Sequence, residues 1–357
     1  MVSEFELALS ELGDGDRSGS RKALLRLSGP SREECRVFLA CLRGMSAERK
    51  RELVAGMVEY AEERFELDYN DLFRVCFGES DPDVRRLALE GLWEDERPDL
   101  VEPLLQMVAE DPDALVRAAA AKSLGRFGYL AECEELDPAR AAKIRAALER
   151  VIEEGDMAGG DQALEVTRRA IESIAFINDD DARRIIDRAY LHEDQRMRES
   201  AVFAMGRSAD RFWTEIVLEE LDSRVPPMRY EAARACGELE LKRAVEPLIR
   251  LLADPDAEVH EMAIWSLGQI GGKRAKAALE YCLNAGMPAI SEAAEQALQE
   301  MEFANPSFDL MVHDPAASEM ITIDLEDDAD DGEFSYEALE ETDSDGEEWP
   351  DELLDLI

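Results

Sequence analysis

Apolar residues return along this chain at a helical spacing and, on top of it, at a longer one. Val84, Val116, Val166, Met197, Met228, Val259 and Ile290 are each followed four residues later by an alanine, Ala88 through Ala294. Eight residues later comes Leu92, Leu124, Ile174, Met205, Cys236, Leu267 or Leu298. Steps of four and eight put all three on one helical face. From Val166 the anchors recur every 31 residues. A second apolar pair trails the anchor by 20 and 24 positions (Leu104 with Val108, Ile186 with Tyr190, Val217 with Leu221, Leu248 with Leu252, Leu279 with Leu283). Each unit therefore predicts two antiparallel helices. One such pair cannot bury its own apolar stripe, so units must stack into a solenoid whose faces are extended binding surfaces.

Smaller features sharpen this picture. The column seven after the anchor is small throughout (Gly91, Ser123, Ser173, Ala204, Ala235, Ser266, Ala297), so adjacent first helices are expected to approach closely there. Asp81, Asp113, Asp194 and Asp256, three before their anchors, are placed to cap the helices. Arg85, Arg117, Arg198 and Arg229, one after their anchors, are placed to reach the acidic loop of the next unit. Ser3 with Glu6 forms a capping box ahead of Phe5, Leu9 and Leu12, which predicts a docked terminal helix, and Leu24, Leu27, Phe38 and Leu42 give a short degenerate helix pair. The gap between Val116 and Val166 is 50 residues, which predicts an insertion with a long helix through Ile144, Leu148 and Ile152.

These residues resemble HEAT repeats in their short bacterial form, often called HEAT-like or phycobilisome-lyase-type repeats. The resemblance rests on Asp81-Pro82-Asp83-Val84-Arg85, Asp111-Pro112-Asp113 with Val116-Arg117, and Asp254-Pro255-Asp256 with Val259. It rests also on the small-apolar-Gly endings Ser123-Leu124-Gly125, Ala204-Met205-Gly206, Ala235-Cys236-Gly237 and Ser266-Leu267-Gly268. It implies an all-α fold, a right-handed α-α superhelix. The expected organisation is degenerate N-terminal helices and a cap in 1–49, a solenoid in 50–303 with the insertion at about 129–160, and an acidic disordered tail in 304–357. The family includes scaffolds, adaptors and a few enzymes, so fold alone does not name a function.

Charge narrows the partners. With 83 acidic and 40 basic residues the formal net charge is -43, which repels nucleic acid and anionic membranes. From Ala304 onward there is no Lys or Arg, while Trp349, Leu353, Leu354 and Ile357 lie among carboxylates, the pattern of a recognition segment that folds on contact. No run reaches the ~18 apolar residues of a membrane span, the start lacks a secretory signal, and the six cysteines lack ligand spacing. The expected compartment is the cytoplasm.

Catalytic chemistry finds no foothold. His192-Glu193 and His260-Glu261 bring to mind the paired His-Glu ligands of HEAT-like di-iron hydroxylases, but there are only 3 histidines and these two occupy different columns. Gly271-Gly272-Lys273 lacks the rest of a phosphate loop. The expectation is a non-enzymatic protein-binding scaffold or adaptor with no catalytic residue, metal or cofactor. The alternative is a small-molecule-handling protein of the bilin-lyase type. Two surfaces are candidates for a protein or peptide partner. In the column six after the anchor, Phe203, Arg234 and Trp265 form either a docking strip or an internal cation-π row. On the second helices, Gln106, Arg188, Glu219, Arg250 and Tyr281 form either a salt-bridge ladder or a peptide groove centred on Arg188, Arg250 and Tyr281. The acidic tail is expected to compete for that second surface or to recruit a partner of its own.

Overall fold

The computed structural model describes residues 3–13, 20–177, 179–284 and 288–304; the tail, with Trp349, Leu353 and Leu354, lies outside them. The described residues are helical, with no strand among them. The chain separates into two compact units, one up to Trp213 and one from Thr214.

The first unit holds α1 (Glu4–Gly13), α2 (Ser20–Leu25), α3 (Arg32–Gly44), α4 (Ala47–Glu63), α5 (Asn70–Cys76), α6 (Pro82–Gly91), α7 (Val101–Glu110), α8 (Ala114–Glu132), α9 (Pro138–Ala158), α10 (Asp161–Ile174), α11 (Asp180–Tyr190) and α12 (Gln195–Arg207). The first helices stack in register, α4 on α6, α6 on α8, α8 on α10 and α10 on α12. Anchors and alanines form that seam: Val84, Ala88, Val116, Ala120, Ala170 and Ala201 are buried. The Ser3–Glu6 capping box is present at 2.7 and 3.1 Å, and α1 buries Phe5, Leu9 and Leu12 as expected.

The second unit holds α13 (Thr214–Glu220), α14 (Pro226–Glu238), α15 (Val245–Leu251), α16 (Ala257–Ile270), α17 (Lys273–Leu283) and α18 (Pro288–Ala304). Here α14 stacks on α16 and α16 on α18, over Met228, Ala232, Val259, Ala263 and Ala294.

Both units use the same local chemistry. Asp81, Asp113, Asp194 and Asp256 cap α6, α8, α12 and α16, accepting from backbone N–H groups of the first turn. The small column allows side-chain bonds between neighbouring first helices: the Ser173 hydroxyl donates to the Ala121 carbonyl (2.9 Å) and, at the equivalent place in the other unit, Ser266 donates to Ala233 (2.7 Å). Each arginine after an anchor donates to the carbonyl six residues back, Arg85 to Glu79, Arg117 to Asp111, Arg198 to His192 and Arg229 to Ser223, all at 2.8 Å. Only Arg85 and Arg229 also reach the next acidic loop, gripping Asp111 and Asp254 with two bonds of 2.7–2.8 Å. Arg117 stays with the carbonyls of its own loop and Arg198 with its loop carbonyls and the Gln195 side chain, a narrower outcome than expected.

The 50-residue interval adds no extra element. It is taken up by lengthening one helix pair: α8 has 19 residues and α9 has 21, against 13 in α12 and 11 in α11. Ile144, Leu148 and Ile152 of α9 are buried, so the extra turns pack rather than project. Two glycines with positive φ, Gly159 (65°) and Gly160 (88°), turn the chain from α9 into α10. Gly155 admits Thr167, whose Oγ1 would lie 1.8 Å from any added Cβ.

Candidate functional site

A groove of about 680 Å³ in the first unit runs along the exposed side of first helices. Arg86, Leu89 and Glu90 of α6 form one bank with Trp93 just beyond its end, and Glu165 and Arg169 of α10 form the other. The floor is α8, where Leu115, Ala118, Ala119, Lys122, Ser123 and Arg126 recur at helical spacing on one face. Small residues at 118, 119 and 123 leave the depression open. Trp93 (49% exposed) and Leu115 (54%) line it with apolar surface that nothing among the described residues covers. A volume in this range suits a small molecule or the anchoring side chains of a peptide.

Its cations fall into two kinds, paired and unpaired. Arg86 pairs with Glu90 at 2.5 Å, and Arg169 with Glu165 and Glu172 at 2.9 and 2.7 Å. Lys122 and Arg126, one turn apart on α8, have no such partner. The Lys122 ammonium makes no hydrogen bond or ion pair among the described residues, and the residue is exposed. Arg126 donates to the Trp93 carbonyl and, at 2.7 Å, to the Asp95 carbonyl, while its Nε is buried without a partner. Burial pulls the Arg126 pKa below the usual guanidinium range, against the opposing fields of Asp95 and Glu96. No described carboxylate hydrogen-bonds this guanidinium. Two adjacent cations beside exposed Trp and Leu can accept carboxylates flanked by apolar side chains.

The residues expected from sequence fall elsewhere. Phe203 is half-buried under Arg207, whose guanidinium lies 5.6 Å from the ring centroid. Arg234 is buried, held by Glu231 (2.8 Å) and Glu238 (2.6 Å) of its own helix, and Trp265 is half-buried with its ring against Gly237. The column six after the anchor is thus not uniformly solvent-facing: Glu172 and Arg234 are inside, while Glu90 and Lys122 are outside. The close packing that the small residue next door permits draws in part of this column. Arg234 is therefore no member of an exposed strip, and Phe203 belongs to the first unit whereas Arg234 and Trp265 belong to the second.

On the second helices, Arg188 is exposed on α11 in a smaller groove of about 310 Å³ whose other lining includes Glu149, Glu153, Asp181 and Arg184. Arg250 is exposed on α15 and Tyr281 half-buried on α17, both in the second unit. His192 lies in a loop, where its Nδ1 accepts from the Asp194 N–H (2.9 Å). His260 is half-buried in the first turn of α16 with Nε2 enclosed, and burial lowers its pKa. Burial also pushes Cys76 and Cys236 up to about 12 and Cys282 up to about 11, which leaves these thiols unreactive. No group of three or more His, Cys, Asp or Glu able to hold a metal occurs among the described residues, and no described helix is long and apolar enough to cross a membrane.

Sequence reasoning missed Trp93, Leu115, Lys122 and Arg126 as a set, although two signals were present. Trp93 stands nine after its anchor, where the next five anchors have Gly125, Ala175, Gly206, Gly237 and Gly268. Leu115 precedes its anchor, where Asp83, Glu165, Arg196 and Glu258 are polar. Each is a large apolar residue in a column that does not otherwise hold one.

Comparison with known proteins agrees with the repeat architecture. The family described as HEAT repeats matches residues 70–153, which include this groove's α6 bank and α8 floor, and residues 214–299. Phycocyanobilin lyase subunit alpha of Picosynechococcus sp. is 42% identical over 67 residues, 19% of this chain and 25% of that protein. The chain thus spans about a quarter of the length of the relative it matches. Among solved structures, the CpcE–CpcF complex of phycocyanin lyase from Nostoc sp. PCC7120 superposes with a TM-score of 0.42 at 19% identity, over 66% of this chain and 94% of that one. Kap95p bound to RanGDP gives 0.43 at 13% identity, over 83% and 45%. Overlaps of that size carry no weight for function.

Proposed function

This chain is a HEAT-like repeat protein, and we propose that it is a non-enzymatic, cytoplasmic scaffold or adaptor that binds protein through the first-helix groove of its N-terminal unit. One observation carries the reading. In a chain of net charge -43, where most arginines are committed to carboxylates, Lys122 and Arg126 stand side by side without a bonded carboxylate, next to exposed Trp93 and Leu115. Such a site selects a partner segment that is acidic and carries apolar anchors. The test is capture from the native source with full-length chain and with Lys122→Glu and Leu115→Glu variants of unchanged helicity. A partner retained by the parent chain and lost by both variants supports the reading. Equal recovery on all three contradicts it.

A second reading, small-molecule handling of the bilin-lyase type, is favoured by the 67-residue similarity to phycocyanobilin lyase subunit alpha. It expects added phycocyanobilin to change its visible absorption on the full chain. An unchanged spectrum at micromolar protein excludes it.

A further inference from the structure

Most cations of the first unit are occupied. Arg85 holds Asp111, Arg74 holds Asp95 and Asp99, and Lys50 holds Glu79. Two grooves of this unit then differ in sign. The lining of the Trp93 groove carries four cations (Arg86, Lys122, Arg126, Arg169) to three carboxylates (Glu62, Glu90, Glu165). The lining of the Arg188 groove carries two cations (Arg184, Arg188) to three carboxylates (Glu149, Glu153, Asp181). An acidic ligand is therefore drawn to the first and turned away from the second.

The chain itself contains a segment with the matching chemistry. Residues 347–357 read Glu-Glu-Trp-Pro-Asp-Glu-Leu-Leu-Asp-Leu-Ile, with no basic residue. Trp349, Leu353 and Ile357 are spaced by four, so a helix formed on contact would present them as one apolar stripe, with Pro350 suited to its first turn. Asp351, Glu352 and Asp355 would then flank the stripe.

We propose that the Trp93 groove is the docking site of the chain's own 347–357 segment, its apolar stripe against Trp93 and Leu115 and its carboxylates at Lys122 and Arg126. This rests on the scaffold reading and deepens it: the segment is a built-in competitor that an acidic partner must displace. Tethering supplies it at an effective concentration of roughly millimolar, so modest intrinsic affinity is enough to matter. It also moves the expected tail contact away from Arg188 and Arg250.

The experiment uses a fluorescein-labelled synthetic peptide of residues 345–357 and fluorescence anisotropy. The receptor is the full chain carrying Trp349→Ala, Leu353→Ala and Leu354→Ala, so that its own segment is disabled. The peptide is expected to bind this chain, to bind the unsubstituted chain more weakly because the site is occupied, and to lose about ten-fold or more in affinity when Lys122→Glu is added. Affinity should also fall as salt rises from about 50 to 500 mM. Arg188→Glu should change nothing. Absence of binding, or equal binding with and without Lys122→Glu, or loss with Arg188→Glu instead, overturns the proposal. A partner still captured in a Lys122-dependent way while the peptide fails to bind would sink this inference and leave the scaffold reading standing.

Discussion

The junction between α6 and α8 has two ends, and a guanidinium sits at each. At one end Arg85, with 7% of its side chain exposed, closes on Asp111 (6%) through two hydrogen bonds and on the Glu79 carbonyl through a third. At the other end Arg126 bonds only carbonyls, those of Trp93 and Asp95, beside an unpaired Lys122 and an open groove. The two arginines share a residue type and a helix stack, and differ in what completes them. Where a carboxylate is built in, the charge locks a loop. Where only carbonyls are supplied, no built-in carboxylate neutralises the cation, which is what the proposed docking uses. Net charge thus does not fix local charge: in a strongly acidic chain the lining of this groove still carries four cations to three carboxylates.

The largest effect should come from breaking the closed end. Arg85→Ala leaves Asp111 buried and uncompensated, and is expected to cost about 3–5 kcal/mol; denaturant unfolding followed by circular dichroism measures it. A cost under about 1 kcal/mol would mean the buried pair does not fasten this junction. Next comes Gly237→Ala in the other unit, where the added methyl would meet the Trp265 ring at 2.8 Å and Ser266 Cα at 3.0 Å. Overpacking of this kind costs about 1–3 kcal/mol, and a neutral result in the melting curve would show that the stack of α14 on α16 can yield. At the open end Lys122→Glu should leave stability within about 0.5 kcal/mol of the parent while changing binding, which separates receptive from structural cations in a single variant.

The smallest effect is the pH dependence of the caps. Asp194 is pulled down to about 2, chiefly by the hydrogen bonds from the Arg196 side chain. A carboxylate whose folded pKa lies below its ordinary value near 3.9 adds stability that is fully present above pH ~4 and is lost as pH falls toward 2. Arg196→Gln should move the Asp194 titration, followed by NMR, back toward the ordinary range and shrink that acid-side loss. An unmoved titration would assign the shift to the backbone N–H of Arg196 instead.

Much of this architecture was legible because it is periodic. Anchors, alanines, the small column and the Asp caps each repeat, and repetition averages away local ambiguity, so the seams formed by Val84, Ala120, Ala201 and Ala263 are where the pattern put them. The site was harder to read because it is an exception to the pattern. Arg234 looked like Lys122 by column, yet Glu231 and Glu238 draw one inward and nothing draws in the other. Whether a charged residue is spent or available depends on its three-dimensional neighbours, and column position does not contain them. The 50-residue interval shows the long helix through Ile144, Leu148 and Ile152 in the sequence; that α8 lengthens with it, so that the interval adds turns to one helix pair rather than an element, follows only from the structure.

The central claim, that the open end of the α6–α8 junction receives an acidic, apolar-anchored segment, is tested most directly by placing a photoreactive benzoylphenylalanine at position 115 of the full chain and mapping its cross-links by mass spectrometry. The account predicts cross-links concentrated in residues 345–357, lost when Lys122→Glu is added and absent from a control probe at Leu191, which is more exposed than Leu115 (73% against 54%). Cross-links scattered without preference, or an unchanged pattern with Lys122→Glu, would contradict it.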